Sequence, residues 1–193
     1  MQKSPVCVDA SIAVKIVSPE ELRPVAIQLW QLWLDQEREI VAPHVFEYEV
    51  TSALLRKAIR GVLSLDEARG ALHAVLGMKV ALLDPPGLSE QALELAIRFN
   101  RPTAYDAHYL ALAEHLRCPF WTADERLYNA TRSNFPYIQW LGDYRPELEG
   151  FKGRVAGNVP RVRSARTAAG TETEPLDAGQ VPPTHLRTTT SST

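Results

Sequence analysis

The sequence predicts an α/β fold of three layers, in which helices cover both faces of a central parallel sheet of five strands. The first observation is that five short apolar segments alternate with longer helical segments between residues 6 and 141. The second is that serine and glycine residues mark several helix ends. The third is that two of the strands, 6–8 and 119–123, stop at an aspartate. In such a sheet the ligand site lies beyond the carboxyl ends of the strands, near the switch in strand order.

The helix-end signals are specific in three places. Ser18, followed by Pro19 and Glu21, has the pattern of a helix start, and predicts a helix that runs to about residue 38. Ser64 and Glu67 form a capping-box pattern, and Gly61 stands where a helix would end. The predicted strands are 6–8, 39–43, 80–84, 119–123 and 137–141. The predicted helices are 11–17, 18–38, 44–60, 64–78, 89–99, 104–117 and 125–132.

Composition divides the chain of 193 residues into two parts. Residues 1–148 have the apolar content of one folded domain. Residues 149–193 are of low complexity and rich in Thr, Ala, Arg, Gly and Pro, so we expect a disordered tail. Residues 151–193 contain six basic and three acidic residues, and the preceding 150 residues carry a net charge of −5. General nucleic-acid binders present a basic face, so a body this acidic indicates a more specialised site.

The chain shows no sign of a membrane protein. No apolar run approaches the roughly 20 residues that a membrane helix needs, and Asp9 interrupts the apolar segment near the N-terminus. Cys7 and Cys118 both lie in apolar surroundings, which is typical of buried free thiols in a reducing compartment. We therefore expect a cytoplasmic protein without membrane contacts.

Three aspartates stand where helices follow strands or loops. Asp9 and Asp124 would each suit an N-cap, and Asp106 would suit the last position of a capping box begun by Thr103. The predicted fold nevertheless brings all three to one rim of the sheet. Clustered carboxylates are typical of a metal site, and we interpret the pattern as that of a metal-dependent nuclease.

A fourth acid is expected from the segment that holds Glu47 and Glu49. Residues two apart on a helix point about 200° away from each other, so only one of them can face the site. Glu49 has the small residues Ser52 and Ala53 three and four positions later, which leaves room for a metal and a phosphate. Helix geometry alone leaves the choice open.

The chain resembles the PIN domain family, and within it the VapC-like toxins of bacterial toxin–antitoxin pairs. The resemblance covers residues 6 to about 144, and its four motifs occur in the family's order. They are VDAS (8–11), YEVTSAL (48–54), YDAHYLALA (105–113) and TADERL (122–127).

The resemblance implies a metal-dependent endoribonuclease that leaves 5′-phosphate and 3′-hydroxyl ends. It implies that Glu49 is the fourth acid, and that Asp9, Glu49, Asp106 and Asp124 together hold Mg²⁺ or Mn²⁺. It also implies a small VapB-like antitoxin as partner, an RNA substrate and a homodimer. The alternative is a catalytically silent PIN fold that serves as a binding module held by a protein partner.

Four further residues are predicted around this quartet. Ser11 and Thr122 are placed to hydrogen-bond the carboxylates, and Arg126 and Ser52 are candidate substrate contacts. Ser52 departs from the family pattern, because many relatives carry asparagine at that position.

Overall fold

The computed structural model describes residues 4–145, and it has the predicted α/β architecture. The strands are β1 (Val6–Val8), β2 (Ile40–Pro43), β3 (Val80–Leu83), β4 (Phe120–Thr122) and β5 (Ile138–Trp140). The helices are α1 (Ala10–Val17), α2 (Arg23–Asp35), α3 (Val45–Ile59), α4 (Leu65–Leu76), α5 (Leu88–Arg98), α6 (Tyr105–Leu116) and α7 (Glu125–Thr131). A short 3₁₀ turn (Leu141–Asp143) follows β5.

All five strands are parallel, and their order in the sheet is β3-β2-β1-β4-β5. β1 lies at the centre, where Cys7 is in register with Val41 on one side and with Phe120 on the other. The chain builds β2 and β3 outward on one side of β1, and then places β4 and β5 on the other. The switch in strand order therefore lies between β1 and β4, which confirms the predicted parallel five-stranded sheet.

Helices cover both faces of the sheet. Successive strand residues point to opposite faces, and in β4 the ring of Phe120 stacks on Tyr109 of α6 while Trp121 contacts Trp33 of α2. α6 and α2 therefore lie on opposite faces of the sheet, as the three-layer prediction requires. In a sheet that is covered on both sides, the strands do not alternate apolar and polar residues. Accordingly, all three residues of β1 are fully buried.

Local sequence signals fix two helix ends as predicted. The Ser64 side chain accepts a hydrogen bond from the Glu67 backbone N–H, while the Glu67 carboxylate accepts one from the Ser64 backbone N–H. α3 ends at Ile59, Arg60 is its C-cap, and Gly61 follows with a φ of 69°. That left-handed conformation favours glycine, because it places the Cβ of other residues against the following carbonyl oxygen.

The predicted helix start at Ser18 is wrong. Ser18 instead ends α1: its hydroxyl oxygen lies 2.6 Å from the Val14 carbonyl oxygen and 3.0 Å from a Glu20 carboxylate oxygen, and its one proton is shared between them. Glu20 is in turn bound by two lysines, so the polar groups that resemble a cap are used in a loop. α2 begins five residues later, after Leu22, with Pro24 in its first turn.

The expected boundary at residues 148 and 149 and the expected disordered tail lie outside the described residues. Of the helices between residues 4 and 145, none combines the length and the apolar character needed to span a membrane.

Gly61 offers a test of the backbone argument. An added Cβ would meet no atom within 4 Å, so Gly61→Ala changes only the backbone energy. We expect a loss of about 1 kcal/mol in the free energy of unfolding, measured by chemical denaturation. Gly61→Asn should lose less, since asparagine tolerates the left-handed region better. Equal stability of the alanine variant and the parent would contradict this account of the helix end.

Candidate active site

The carboxyl ends of β1 and β4 are joined through the hydroxyl of Thr122. The Asp9 backbone N–H donates to the Trp121 carbonyl at 3.0 Å, which continues the pairing of the two strands. The Thr122 hydroxyl donates to Asp9 Oδ2, and its own oxygen, Thr122 Oγ1, accepts the Asp124 backbone N–H at 2.9 Å. One fully buried threonine thus fixes both aspartates at the edge of the sheet.

Ser11 adds a second link across the same strand ends. Its backbone N–H donates to Asp9 Oδ1 at 3.0 Å, so that Asp9 is the N-cap of α1. Its hydroxyl accepts the Ala123 backbone N–H at 2.9 Å. The structure therefore places Ser11 and Thr122 directly around Asp9, and each of them also contacts the segment that leads to Asp124.

Asp9 is buried, and burial is the main reason that its pKa rises from an ordinary 3.8 to about 6. The hydrogen bonds from Thr122 and Ser11 oppose that rise, and the negative charge of Asp106 adds to it. Asp9 and Asp106 are therefore close enough to repel each other.

Glu49 extends from α3 toward the same group of acids. The phenol of Tyr109 on α6 donates to Glu49 Oε2 at 2.5 Å. Burial raises the pKa of Glu49 from 4.5 to about 7; the Tyr109 hydrogen bond opposes this, and the charges of Asp9 and Asp106 increase it. Glu47, in contrast, is exposed, so the helix presents Glu49 and not Glu47 to the acids.

Asp106 is in the first turn of α6, and its partner is a cation. Arg101 Nη2 donates to Asp106 Oδ2 at 2.8 Å, in an ion pair that is mostly shielded from solvent. The capping box that Thr103 and Asp106 could have formed is absent, because the N-cap of α6 is Ala104 and no side chain caps this helix end. Arg101 comes five residues before Asp106 and binds the carboxylate that a cap would have used.

Asp124 caps α7, as its sequence position allowed. Its Oδ1 atom accepts the backbone N–H groups of Arg126 at 2.8 Å and Leu127 at 3.1 Å. A helix N-terminus stabilises a carboxylate in this position. Asp124 therefore caps a helix and also lies at the edge of the acidic cluster.

Asp9, Glu49 and Asp106 thus lie within electrostatic range of one another, and Asp124 is linked to Asp9 through Thr122, although each acid is bound by a different partner. Within residues 4–145, no three His, Cys, Asp or Glu side chains form a ready set of metal ligands. The side chains nevertheless have the oxygen donors that Mg²⁺ prefers, because all four are carboxylates. Their charge also suits a cation, because the raised pKa values of Asp9 and Glu49 mean that their charged forms are destabilised. The ligand set is therefore suitable in its chemistry but not preassembled.

A family profile described as the PIN domain matches residues 6–133. The chain belongs to the PIN domain family. The VapC ribonuclease Mb0985 of Mycobacterium bovis is 35% identical over 107 residues, which cover 52% of this chain and 82% of the relative. This degree of similarity makes the chain a VapC-like member of the family.

Two solved structures support the PIN fold. The protein PAE2754 of Pyrobaculum aerophilum matches with a TM-score of 0.53 and 22% identity, over 72% of this chain and 90% of that one. The Mycobacterium tuberculosis toxin VapC20, described as cleaving the sarcin–ricin loop, matches with a TM-score of 0.51 and 18% identity, over 65% of this chain and 95% of that one.

An open cavity of about 720 Å³ adjoins the acidic edge of this PIN domain at Ser11 and Asp124. Five cations line it: Lys15, Arg56, Lys57, Arg60 and Arg126. Of these, sequence reasoning found only Arg126. The candidate substrate contact Ser52 is exposed on α3, and the lining includes its neighbour Ala53 instead.

Sequence reasoning also missed the partners of two acids, Tyr109 and Arg101. Tyr109 follows Asp106 by three residues on one helix, a spacing that places both on the same face. That spacing could have identified Tyr109 as a residue that faces the acidic site. The pairing with Glu49, 60 residues away, was not visible in the sequence.

The raised pKa values predict a pH dependence of stability. Protonation of Asp9 and Glu49 is easier in the folded state, so its stabilising effect is complete below about pH 4 and is lost as pH rises through 6 to 7. In chelator we expect the Tm to fall between about pH 5 and about pH 8, and Asp9→Asn to fall less steeply. Thermal melts of both proteins, with Asp66→Asn as an exposed control, measure this. Parallel curves for Asp9→Asn and the parent would refute the assignment.

Tyr109→Phe removes the hydrogen bond to Glu49 and keeps the ring that stacks on Phe120. Because that bond lowers the pKa of Glu49, we expect the value to rise further above about 7. We also expect a loss of about 1–3 kcal/mol in the free energy of unfolding near pH 8, where the carboxylate is charged. Carboxyl NMR titration and denaturation measure the two effects. Tyr48→Phe, at an exposed neighbour of Glu49, should change neither.

Proposed function

We propose that this PIN domain is a metal-dependent endoribonuclease and the toxin of a VapBC-type pair. The observation that carries the proposal is the meeting of carboxylates at the switch in strand order. Asp106 raises the pKa of both Asp9 and Glu49, and Thr122 connects Asp9 to the backbone of Asp124. Carboxylates that repel one another at a ligand-binding edge are suited to a divalent cation.

The cation we propose is Mg²⁺ or Mn²⁺. Asp9 and Asp106 would be direct ligands, Asp124 a ligand directly or through water, and Glu49 either a ligand or the group that orients the attacking water. When bound, the ion would act as a Lewis acid that offsets the negative charge of the phosphodiester and acidifies water.

The residues around the acids would hold them for this task. Thr122 and the Ser11 backbone fix both oxygens of Asp9, so its carboxylate has one orientation. Tyr109 fixes Glu49 in the same way.

RNA is the proposed substrate class because the similar VapC proteins are named ribonucleases. We further propose a small VapB-like antitoxin as partner, a homodimer as the assembled state and the cytoplasm as the location. The competing function is a silent binding module, and a test of cleavage separates the two.

Charge removal at the acids tests the proposal directly. We expect purified protein to cleave RNA when Mg²⁺ or Mn²⁺ is present, and to lose activity in chelator. Asp9→Asn and Asp106→Asn should each lower kcat/KM by on the order of 10²-fold or more, because each removes a charge from the reaction centre. Gel analysis of a labelled RNA and mapping of the product ends give the rates and the end chemistry.

The matched control is Asp66→Asn, which removes the same charge from an exposed position on α4. It should cleave at the parent rate. Asparagine is also a good N-cap, so Asp9→Asn should remain folded, which circular dichroism checks. If the parent and both site variants cleave equally, the activity belongs to a contaminant. If a folded, metal-supplied parent does not cleave at all, the binding-module function is favoured.

A further inference from the structure

We propose that the basic cavity beside the acidic edge is a second phosphate-binding site, which holds an RNA backbone phosphate next to the one that is cut. This inference rests on the proposed ribonuclease function, and it names how that function would hold its substrate. It assigns a binding role to Lys15, Lys57, Arg56 and Arg60.

The centre of this site is a fixed pair of lysines. Lys15 Nζ lies 2.9 Å from Glu20 Oε2, and Lys57 Nζ lies 2.5 Å from Glu20 Oε1. Glu20 is held in turn by the Ser18 hydroxyl at 3.0 Å. Both lysine side chains are less than one-fifth exposed, so the bridge places two ammonium groups from α1 and α3 in one rigid arrangement.

That arrangement keeps capacity for an anion. Two ammonium groups on one carboxylate leave a net charge of +1, and each ammonium has three N–H donors, more than Glu20 alone can use. The pKa of Glu20 is lowered by Lys57 and Lys15 against the effect of its burial, so the carboxylate stays charged and keeps both lysines in place. Glu20 thus positions the lysines without cancelling them.

Arginines extend the positive surface along the cavity. Arg56 and Arg60 are four residues apart, which places them on one side at the end of α3, and Arg126 joins them from the first turn of α7. The lining therefore contains five cations against the three acids Glu20, Asp124 and Glu125. In a chain whose first 150 residues carry a net charge of −5, this is a local reversal of sign.

Helix stabilisation does not account for this grouping. Cations near the end of α3 are favourable for the helix dipole, but that effect is available on any side of the helix. Lys15 comes from α1 and Arg126 from α7, and neither stabilises α3. What the five share is an open cavity of about 720 Å³, a size suited to a nucleotide-sized ligand.

The position of the cavity selects RNA as its occupant. Its lining includes Ser11 and Asp124, which belong to the acidic edge, so the cavity and the carboxylates are continuous. A strand with one phosphate at the carboxylates must place a neighbouring phosphate within a few ångströms of that edge. Cations there offset the repulsion that an acidic protein exerts on a polyanion.

Binding in chelator tests this site without cleavage. The full chain is titrated into a fluorescein-labelled single-stranded RNA, and the anisotropy is followed at several salt concentrations. The variants are Lys57→Gln, Arg60→Gln and the double variant. The control is Lys79→Gln, an exposed lysine immediately before β3 and therefore at the opposite edge of the sheet.

We expect the double variant to bind about tenfold more weakly at moderate salt, and its salt slope to fall by about 0.7, since the site holds one phosphate and each neutralised phosphate on a single strand contributes about 0.7. Lys79→Gln should behave as the parent. Lys57→Arg should restore most of the loss caused by Lys57→Gln, because it returns the charge. Arg60→Gln changes an exposed side chain, so it tests the site even where Lys57→Gln disturbs the lysine pair.

Cleavage kinetics give an independent readout. The double variant should raise KM about tenfold, with a smaller change in kcat, because it removes binding remote from the reacting atoms. If the parent cleaves RNA and all variants have the same KM and salt slope as the parent, the phosphate site is overturned and the proposed function stands. A parent that binds RNA with the expected slope but never cleaves would overturn the function alone. If the variants bind RNA as the parent does but no longer bind an acidic peptide, the cavity belongs to a protein partner and this inference is overturned.

Discussion

The hydroxyl of Thr122 is the contact on which the acidic site depends. It donates to Asp9 at the end of β1 and accepts the backbone N–H of Asp124 at the end of β4. Such a bridge is possible only because β1 and β4 are parallel neighbours, in register through Val8 and Trp121. Residues 113 positions apart in the chain are thereby held as rigidly as neighbours. Substituting this buried hydroxyl would remove a donor from one aspartate and an acceptor from the other.

The acidic cluster illustrates how a protein can keep like charges together before a ligand arrives. Each carboxylate is matched to a different kind of donor: a hydroxyl for Asp9, a phenol for Glu49, a guanidinium for Asp106 and a helix N-terminus for Asp124. These bonds lower the energy of the charged forms, while burial raises it. For Asp9 and Glu49 burial has the larger effect, so both remain above their ordinary pKa values. The proposed cation would relieve the remaining destabilisation.

Much of the architecture followed from local signals in the sequence. Apolar segments ending at Asp9 and Asp124 predicted parallel strands and the edge at which they meet, and the structure has both. Ser64 and Gly61 were also interpreted correctly, since a capping box and a left-handed glycine depend on a few adjacent residues.

Local signals failed where a distant residue competed for the same group. Ser18 has the sequence of an N-cap, but its hydroxyl contacts Glu20, whose carboxylate is held by Lys15 and by Lys57, which is 37 positions further along the chain. A sequence pattern ranks the local partners of a polar group and carries no information about partners that only the tertiary fold supplies. The basic cavity was missed for the same reason, because its cations come from three helices.

The wrong prediction at Ser18 has a consequence for how the basic cavity is organised. α1 ends at Ser18, and the Glu20 carboxylate that follows it bridges Lys15 and Lys57. The loop between α1 and α2 delivers a carboxylate between two lysines, at the cost of holding Leu22 in a left-handed conformation with a φ of 64°. At the acidic cluster, Arg101 pairs with Asp106. Positive charge therefore lies beside the acids both at Arg101 and in the basic cavity. The proposed RNA, accompanied by a divalent cation, would therefore meet both the carboxylates and the neighbouring cations.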